Sequence, residues 1–275
     1  MTDECIHGFP TELCDICAPR QREASEIPAT PAPRRTRITT NLRVDPPASG
    51  PGTSLRSPTS LRSSSADLPE AREFAALRAH HVTHIDNLDG IVGAGAILAS
   101  DQAEPVVDVS SADTRAARAE AEAPDGSSIA GHVPFTLSPD ATRWDELRTG
   151  ADGERWSDAA RRTRAIDYVV LVVPVSAFGA SVIVADQDAD ADDVRFAVGP
   201  DAGTNLIRRT DFTDPEMHGL ELLAGPSVPF TSVAVIGVPN DKARQTVRAV
   251  LADHGGHAPR VAVFPPWFVP PVTAE

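Results

Sequence analysis

Residues 81–88 concentrate polar side chains that can hold a ligand. His81, Thr83 and His84 bring two imidazoles and a hydroxyl close together. Imidazoles serve as acids, bases or hydrogen-bonding groups near neutral pH. The β-branched alternation predicts a strand through residue 85, and Asp86 is placed to cap a helix that Gly95 would end. The sequence therefore predicts a polar ligand site where this strand meets its helix.

A second candidate group is Glu221, a single carboxylate within the apolar run 220–223. The run has the composition of a strand that is at least half buried. A carboxylate held in such a strand has a defined position. By residue type alone, an exposed glutamate on the polar side of an edge strand is the commoner case. Both interpretations are open at this point.

The first 17 residues contain all three cysteines of the chain and one histidine between them. Cys5, His7, Cys14 and Cys17 predict one tetrahedral zinc site, because a Cys-x-x-Cys turn can place two thiolates on one ion. The alternative is a metal-free segment with reactive thiols. Since no cysteine follows Cys17, no disulfide framework supports the rest of the chain.

Composition excludes some classes of protein. The net charge is −14, and 16 Lys and Arg against 29 Asp and Glu from Phe74 onward give −13 for that part alone. Such a charge does not favour nucleic-acid binding. The apolar run 168–185 contains Pro174 and Gly179, which fits two buried strands and a turn better than a membrane span. Because the first residues also lack the pattern of a signal peptide, we expect a soluble, cytoplasmic protein with no membrane partner.

Changes in composition divide the chain into three parts. Residues 1–19 form the predicted zinc-knuckle module. Residues 20–65 are rich in Pro, Ser, Thr and Arg, without patterned apolar residues, and predict a disordered linker. Its basic cluster, Arg34, Arg35 and Arg37, can touch phosphate groups, although a solvated tether is the simpler interpretation. Residues 66–275 form the main domain.

The main domain predicts an α+β fold, because its helices and strands do not alternate regularly. Neither standard glycine-rich nucleotide-binding loop is present. The acidic run 186–193 predicts a solvated turn, since it lacks the glycine and glutamate of a calcium loop. The predicted helices are 66–79, 112–121 and 241–253, with two short ones around Trp144 and Trp156. The predicted strands are 133–137, 166–175, 181–185, 218–223, 229–238 and 260–264, and 205–209 is predicted as a connector.

Several segments together resemble the DarT family of DNA ADP-ribosyltransferase toxins. The pattern His81-x-Thr83-His84-x-x-Asn87-Leu88 is similar to the first NAD-binding element of that family. Four further landmarks follow in the same order: an Arg-containing helix, Val133-Pro134-Phe135, Leu220-Glu221-Leu222-Leu223 and the closing run 261–268. There are departures, because Ala96-Ile97-Leu98 follows Gly95 where Leu-Leu is usual, and Thr136 and Leu137 replace an aromatic pair. The resemblance extends from about residue 72 to residue 268.

The resemblance implies an ADP-ribosyltransferase fold, in which a split, bent β-sheet surrounds an NAD cleft. It also implies transfer of ADP-ribose from NAD to a base in single-stranded DNA, most often thymine, by a toxin whose antitoxin has a macrodomain. Glu221 would be the catalytic carboxylate that holds the ribose 2′-hydroxyl of NAD. The residues that would bind NAD are His81, Val82, Thr83, Gly90 and Leu98, while His84 and Asn87 would hold the loop in shape.

The family also assigns an arginine to the acceptor base. Arg118 and Arg115 are the candidates, and the spacing to Val133 favours Arg118. DNA contacts are expected from further arginines: Arg161, Arg162, Arg164, Arg208 and Arg209. Two alternatives stay open: a related transferase of RNA or protein, and a non-catalytic domain that binds a partner through its N-terminal module.

The zinc prediction can be checked directly. We expect about one zinc ion per chain in protein purified without a histidine tag, because four soft or borderline ligands lie within 13 residues, from Cys5 to Cys17. Elemental analysis of the full chain gives the stoichiometry, and Cys14→Ser should lower it. A metal content near zero under reducing conditions would contradict the prediction.

Overall fold

The protein is seen in a computed structural model that describes residues 74–209 and 218–270. The strands are β1 (Arg78–His84), β2 (Ala96–Leu98), β3 (Val133–Thr136), β4 (Tyr168–Pro174), β5 (Ile183–Ala185), β6 (Phe196–Val198), β7 (Glu221–Ala224), β8 (Ser227–Pro229), β9 (Val235–Val238) and β10 (Arg260–Val263). The α-helices are α1 (Leu88–Ala94), α2 (Ala112–Glu120), α3 (Thr142–Thr149), α4 (Asp158–Arg162), α5 (Pro200–Arg209) and α6 (Asp241–His254). The four metal-ligand candidates and the predicted linker lie outside the described residues.

Eight of the described strands form one sheet in the order β10-β9-β4-β1-β3-β7-β5-β6. Neighbours are antiparallel except β9 and β10. This agrees with the α+β prediction. The sheet is split at its centre: β1 pairs with β4 at seven positions but with β3 only at His80 and Thr136. The opening between β1 and β3 leaves room for a ligand.

The centre of the sheet is apolar on both faces, because β4 is a nearly continuous run of valines. Its odd-numbered residues, such as Val169 and Leu171, join a large aliphatic cluster with Leu222 and Ile236. Tyr168, Val170 and Val172 join a smaller cluster around Trp144, Trp156 and Phe268 on the opposite face. The sheet is therefore covered on both sides, and the residues at its split are held by a packed core on each face.

The junction between β1 and α1 differs in detail from the prediction. A 3₁₀ turn, Ile85–Asn87, separates the strand from the helix, and the backbone N–H of Asp86 donates to His84 Nδ1 at 3.3 Å. The capping group is thus the imidazole of His84 and not the side chain of Asp86. Gly95 ends α1 as predicted, with φ at 69°, a left-handed conformation that glycine adopts without steric cost.

Other predicted elements were wrong where tertiary contacts outweigh local patterns. The predicted helix 66–79 is, in its described part, a 3₁₀ turn followed by β1 from Arg78. Residues 205–209 belong to helix α5. The predicted strand 229–238 is interrupted, because a 3₁₀ turn over Phe230–Ser232 lies between the end of β8 at Pro229 and the start of β9 at Val235. Trp156 lies before α4 and not within it. Helices α2 and α6 agree with their predictions to within one residue.

Two absences concern the described part of the chain. None of its helices combines the length and apolar character needed to span a bilayer. Within residues 74–209 and 218–270, no three His, Cys, Asp or Glu side chains converge so that they could hold a metal ion.

Gly237 on β9 provides a test of the packing of Trp267 against the sheet. A Cβ at this position would lie 2.5 Å from Trp267 Cζ3, and Trp267 is itself fixed between His80 and Phe264. We therefore expect Gly237→Ala to lower the free energy of unfolding by about 1–3 kcal/mol. Urea denaturation measures the change. Gly225→Ala is the control, because its Cβ meets no atom within 4 Å; equal losses in both variants would contradict the packing described.

Candidate active site

A cavity of about 520 Å³ lies at the split of the sheet, within the size range of small-molecule sites. Its walls come from β1, α1, β2, the loop 99–111, β3, α3 and the start of β7. All five residues predicted to bind NAD line it, together with the predicted catalytic carboxylate: His81, Val82, Thr83, Gly90, Leu98 and Glu221. The structure thus brings residues 140 positions apart in the chain to one cleft.

Glu221 is the first residue of β7 and is almost completely buried, with 3 % of the residue exposed. It lies between Thr136 of β3 and Ala185 of β5 in the sheet register. Its carboxylate accepts two hydrogen bonds from Arg118, at 2.9 and 3.2 Å, and one from the backbone N–H of Ala189 at 2.9 Å. A two-point guanidinium contact fixes the plane of the carboxylate as well as its position.

Arg118 reaches Glu221 from the buried side of α2. Its side chain is 7 % exposed, and its Nη1 also lies 3.3 Å from Asp190 Oδ1. The hydroxyl of Ser128 donates to the carbonyl of Arg118, which ties the end of α2 to the following loop. Arg115, the other candidate, is exposed and pairs with Asp108 instead. The geometry therefore associates Arg118, and not Arg115, with the predicted catalytic carboxylate.

Sequence reasoning missed Arg143, which lies in the first turn of α3 and lines the cleft. Its Nε donates to Asp188 at 2.6 Å and its Nη2 to Asp190 at 3.0 Å. Its Nη1 is 3.9 Å from Glu221 Oε1. The sequence does contain several arginines and, elsewhere in the chain, an acidic run of opposite charge. The spacing of these residues does not show which arginine pairs with which aspartate.

The acidic turn, residues 186–193, is not the solvated turn that its composition predicted. Asp188 and Asp190 point inward and pair with Arg143, while Asp188 also accepts from Arg155. Asp192 and Asp193 are exposed, as expected. The inward pair and the N–H of Ala189 make this turn part of the site, because they hold both arginines and the carboxylate of Glu221.

The charges of the cluster stabilise one another. Burial alone would raise the pKa of the Glu221 carboxyl, but Arg118 and Arg143 outweigh burial and hold this pKa below its ordinary value. Burial alone would also raise the pKa of the Asp188 carboxyl, but Arg143 and Arg155 hold this pKa below its ordinary value. The pKa of Arg143 is raised by Glu221, Asp188 and Asp190 against the effect of burial. The carboxylate in the cleft is thus ionised at neutral pH.

His81 and Asn87 are fixed by contacts that define their hydrogen-bonding roles. Burial lowers the pKa of His81, so the ring is neutral, and its Nδ1 must donate to the carbonyl of Pro134 at 2.9 Å. Its Nε2 is therefore an acceptor. Asn87 exchanges two hydrogen bonds with the backbone of Val107, at 2.8 and 2.9 Å, and also donates to Thr83. Asn87 thus pins the loop 99–111, which lines the cleft.

The chain is similar to known proteins in sequence and in fold. A family model described as "ssDNA thymidine ADP-ribosyltransferase, DarT" matches residues 80–269, well over half of the chain. No curated protein matches the chain. Among solved structures, Thermus sp. 2.9 DarT in complex with ADP-ribosylated ssDNA is 22 % identical with a TM-score of 0.60, over 70 % of this chain and 96 % of that one.

Two other solved structures are similar to the chain. Thermus sp. 2.9 DarT in complex with NAD+ is 23 % identical with a TM-score of 0.58, over 70 % of this chain and 98 % of that one. Thermosipho africanus DarTG in complex with ADP-ribose is 13 % identical with a TM-score of 0.53, over 70 % of this chain and 51 % of that one. At these identities the likeness is one of fold, and it confirms the predicted ADP-ribosyltransferase fold.

His80 lies on the face of β1 opposite to His81, and its burial predicts that the stability of the protein depends on pH. Its ring packs edge-on against Trp267, and burial lowers its pKa to about 4 from 6.5. The unfolded chain therefore binds a proton that the folded chain excludes, so stability is complete above pH 6.5 and falls as the pH drops toward 4. We expect the decrease in the free energy of unfolding over this pH interval to be smaller in His80→Phe than in the wild type, by on the order of 2–3 kcal/mol.

Urea unfolding of wild type and His80→Phe across that pH interval measures the difference. Some loss should persist in the variant, because His81 also has a pKa lowered by burial. Identical profiles in the two proteins would contradict the assignment.

Proposed function

The chain belongs to the DarT family of ssDNA thymidine ADP-ribosyltransferases, and we propose that its cleft transfers ADP-ribose from NAD to thymine in single-stranded DNA with Glu221 as the catalytic carboxylate. One observation carries the assignment of Glu221: it is a buried carboxylate at the cleft wall that Arg118 holds at two points, with Nη1 of Arg143 3.9 Å away. The solved Thermus relatives, which hold NAD+ and ADP-ribosylated ssDNA, support both substrates.

In the proposed reaction, the bond between the nicotinamide nitrogen and the ribose breaks through an oxocarbenium-like transition state. Its electron pair goes to the nicotinamide ring. The Glu221 carboxylate accepts a hydrogen bond from the ribose 2′-hydroxyl and stabilises the positive charge on the sugar. Since the cluster already holds the carboxylate in place, little reorganisation accompanies the reaction.

The other cleft residues are proposed to bind NAD. His81 would offer Nε2, and Thr83 its hydroxyl, on the strand that borders the split. A Cβ on Gly90 would meet no atom within 4 Å, so the absence of a side chain there leaves the wall of the cleft open. Val82 and Leu98 supply apolar surface. The loop 99–111, pinned by Asn87 at Val107, would limit the access of water to the bound dinucleotide.

The acidic domain restricts where DNA can bind. Arg161 pairs with Asp158 and Arg164 with Asp167, so these two charges are partly neutralised. Arg162 is exposed beside them. We propose that these arginines and the basic linker contact the phosphates of a short single strand, while the base enters the cleft.

The family resemblance also suggests a biological role and a division of the chain into three parts. As the family resemblance implies, we propose a toxin that acts in the cytoplasm and an antitoxin with a macrodomain that removes the mark. Residues 66–275 would form the transferase, and the segment 1–19 would remain a zinc-binding module. The linker 20–65 would join the two.

The catalytic role of Glu221 is tested with Glu221→Gln. We expect transfer to fall roughly 100- to 1000-fold, because the neutral amide no longer stabilises the developing positive charge. The affinity for NAD should change much less, since the lost interaction belongs mainly to the transition state. The mass of a thymine-containing oligonucleotide after incubation with NAD gives the rate.

Stability must be measured in parallel, because Arg118 loses its main partner. We expect Glu221→Gln to lower the free energy of unfolding by about 3 kcal/mol, so the assays are run at temperatures where the variant is folded. Glu120→Gln, exposed on α2, is the control and should react as wild type does. Wild-type rates in Glu221→Gln would refute the assignment. Labelling of RNA or protein but no oligonucleotide by the wild type would leave the fold intact and change the substrate class.

A further inference from the structure

We propose that Arg155 is a positioning residue that holds the acidic turn against Glu221. The inference rests on the proposed function and deepens it, because it names a residue outside the cavity on which the placement of the carboxylate depends. Arg155 lies on the segment between α3 and α4 and does not itself line the cavity. Its backbone and its side chain contact different walls of the cleft.

The backbone of Arg155 pairs with the end of the loop 99–111. Its carbonyl accepts a hydrogen bond from the N–H of Ser111 at 2.8 Å. The next residue, Trp156, forms a β-bridge with Ser110 and lines the cavity. The position of Arg155 is therefore set by backbone contacts, and a substitution of its side chain leaves these contacts in place.

The guanidinium of Arg155 extends from this position to the acidic turn. Its Nη1 donates to Asp188 Oδ2 at 2.5 Å, and its Nε lies 3.4 Å from Glu146 Oε2 on α3. Glu146 in turn accepts from the indole N–H of Trp156 at 2.9 Å. The Arg155 side chain is 36 % exposed, and ion pairs exposed to water contribute little to the stability of a whole domain. The contact thus fixes the direction of Asp188 more than it stabilises the fold.

Asp188 is connected to Glu221 by two routes. The residue that follows it is Ala189, whose backbone N–H donates to Glu221 Oε2 at 2.9 Å. Asp188 also accepts from Nε of Arg143, whose Nη1 lies 3.9 Å from Glu221 Oε1. If Asp188 turned away, the N–H group and the second positive charge would both move relative to the carboxylate.

This placement matters for the reaction because Glu221 is proposed to act on charge that develops in the transition state. An oriented charge stabilises that state less well when it is displaced. The residues proposed to bind NAD lie on β1, α1 and β2, whereas the Arg155 guanidinium contacts the acidic turn and α3. We therefore expect loss of this side chain to lower the rate of transfer at saturating NAD and to leave the affinity for NAD unchanged.

Arg195 offers a matched control at the other end of the acidic turn. Its Nε donates to Asp186 Oδ2 at 2.6 Å, so it is also an arginine paired with an aspartate of this turn. Its side chain is 79 % exposed. If any ion pair that tethers the turn were sufficient to position the carboxylate, Arg155 and Arg195 would be equivalent.

The test compares Arg155→Met, Arg155→Lys and Arg195→Met in the full-length protein. We measure the rate of transfer to a thymine oligonucleotide at saturating NAD and the dissociation constant for NAD by calorimetry, and confirm folding by thermal denaturation. Arg155→Met should lose roughly 10- to 100-fold in rate, because a small displacement of a reacting group is costly, and keep its NAD affinity. Arg155→Lys should recover part of the loss, since it keeps a positive charge beside Asp188. Arg195→Met should react as wild type does.

Two further readouts separate positioning from a general structural role. In a background of Asp188→Asn, Arg155→Met should cause little additional loss of rate, because the two residues act through one contact. Hydrogen exchange of the Ala189 amide should be faster in Arg155→Met than in the wild type or in Arg195→Met, since the turn would be held less firmly.

Several outcomes would overturn the inference. Wild-type rates in Arg155→Met, equal losses in Arg155→Met and Arg195→Met, or additive losses with Asp188→Asn would show that Arg155 does not act through Asp188. A weaker NAD affinity with an unchanged rate at saturating NAD would place its effect on binding instead. A wild type that binds NAD but transfers nothing to thymine would remove the proposed function, whereas exchange of the Ala189 amide would still decide whether Arg155 holds the turn.

Discussion

The ion pair between Glu221 and Arg118 is the interaction on which the site depends. Both groups are buried, and a buried charge is tolerated only when hydrogen bonds and an opposite charge compensate its loss of hydration. Glu221 meets this requirement with two bonds from Arg118 and one from Ala189. Each partner imposes a further constraint. Helix α2 must present Arg118 inward, and the acidic turn must approach β7 closely enough for a backbone N–H to reach the carboxylate.

The cluster is placed by the topology of the sheet. β7 joins β3 on one side and β5 on the other, so Glu221 begins an interior strand next to the split between β1 and β3. The strand that carries His81 borders the same split. A central β4 with apolar residues on both faces packs this region against a core on each side, and the opening is a gap in that packed structure. We expect such packing to favour catalysis, because charges that are already oriented need not move during the reaction.

Much of this could be predicted from the sequence, and what was missed has physical causes. The strand and helix around residues 81–95 have local patterns, and the order of five motifs identified the family. The acidic turn was misjudged because a run of aspartates looks the same whether it is hydrated or faces arginines. Arg143 and Asp188 are 45 positions apart, and Arg118 and Glu221 are 103 apart. Pairing across such distances depends on the fold, which no local pattern contains.

The most direct test is a crystal structure of the protein with a non-hydrolysable NAD analogue. We expect the 2′-hydroxyl of the nicotinamide ribose to donate to Glu221 within about 3.2 Å, as in an ordinary hydrogen bond. We also expect Arg118 to keep both contacts with the carboxylate. An analogue bound with its nicotinamide ribose away from Glu221, or an Arg118 that turns from Glu221 into the cleft, would contradict the proposed role of the Glu221–Arg118 pair.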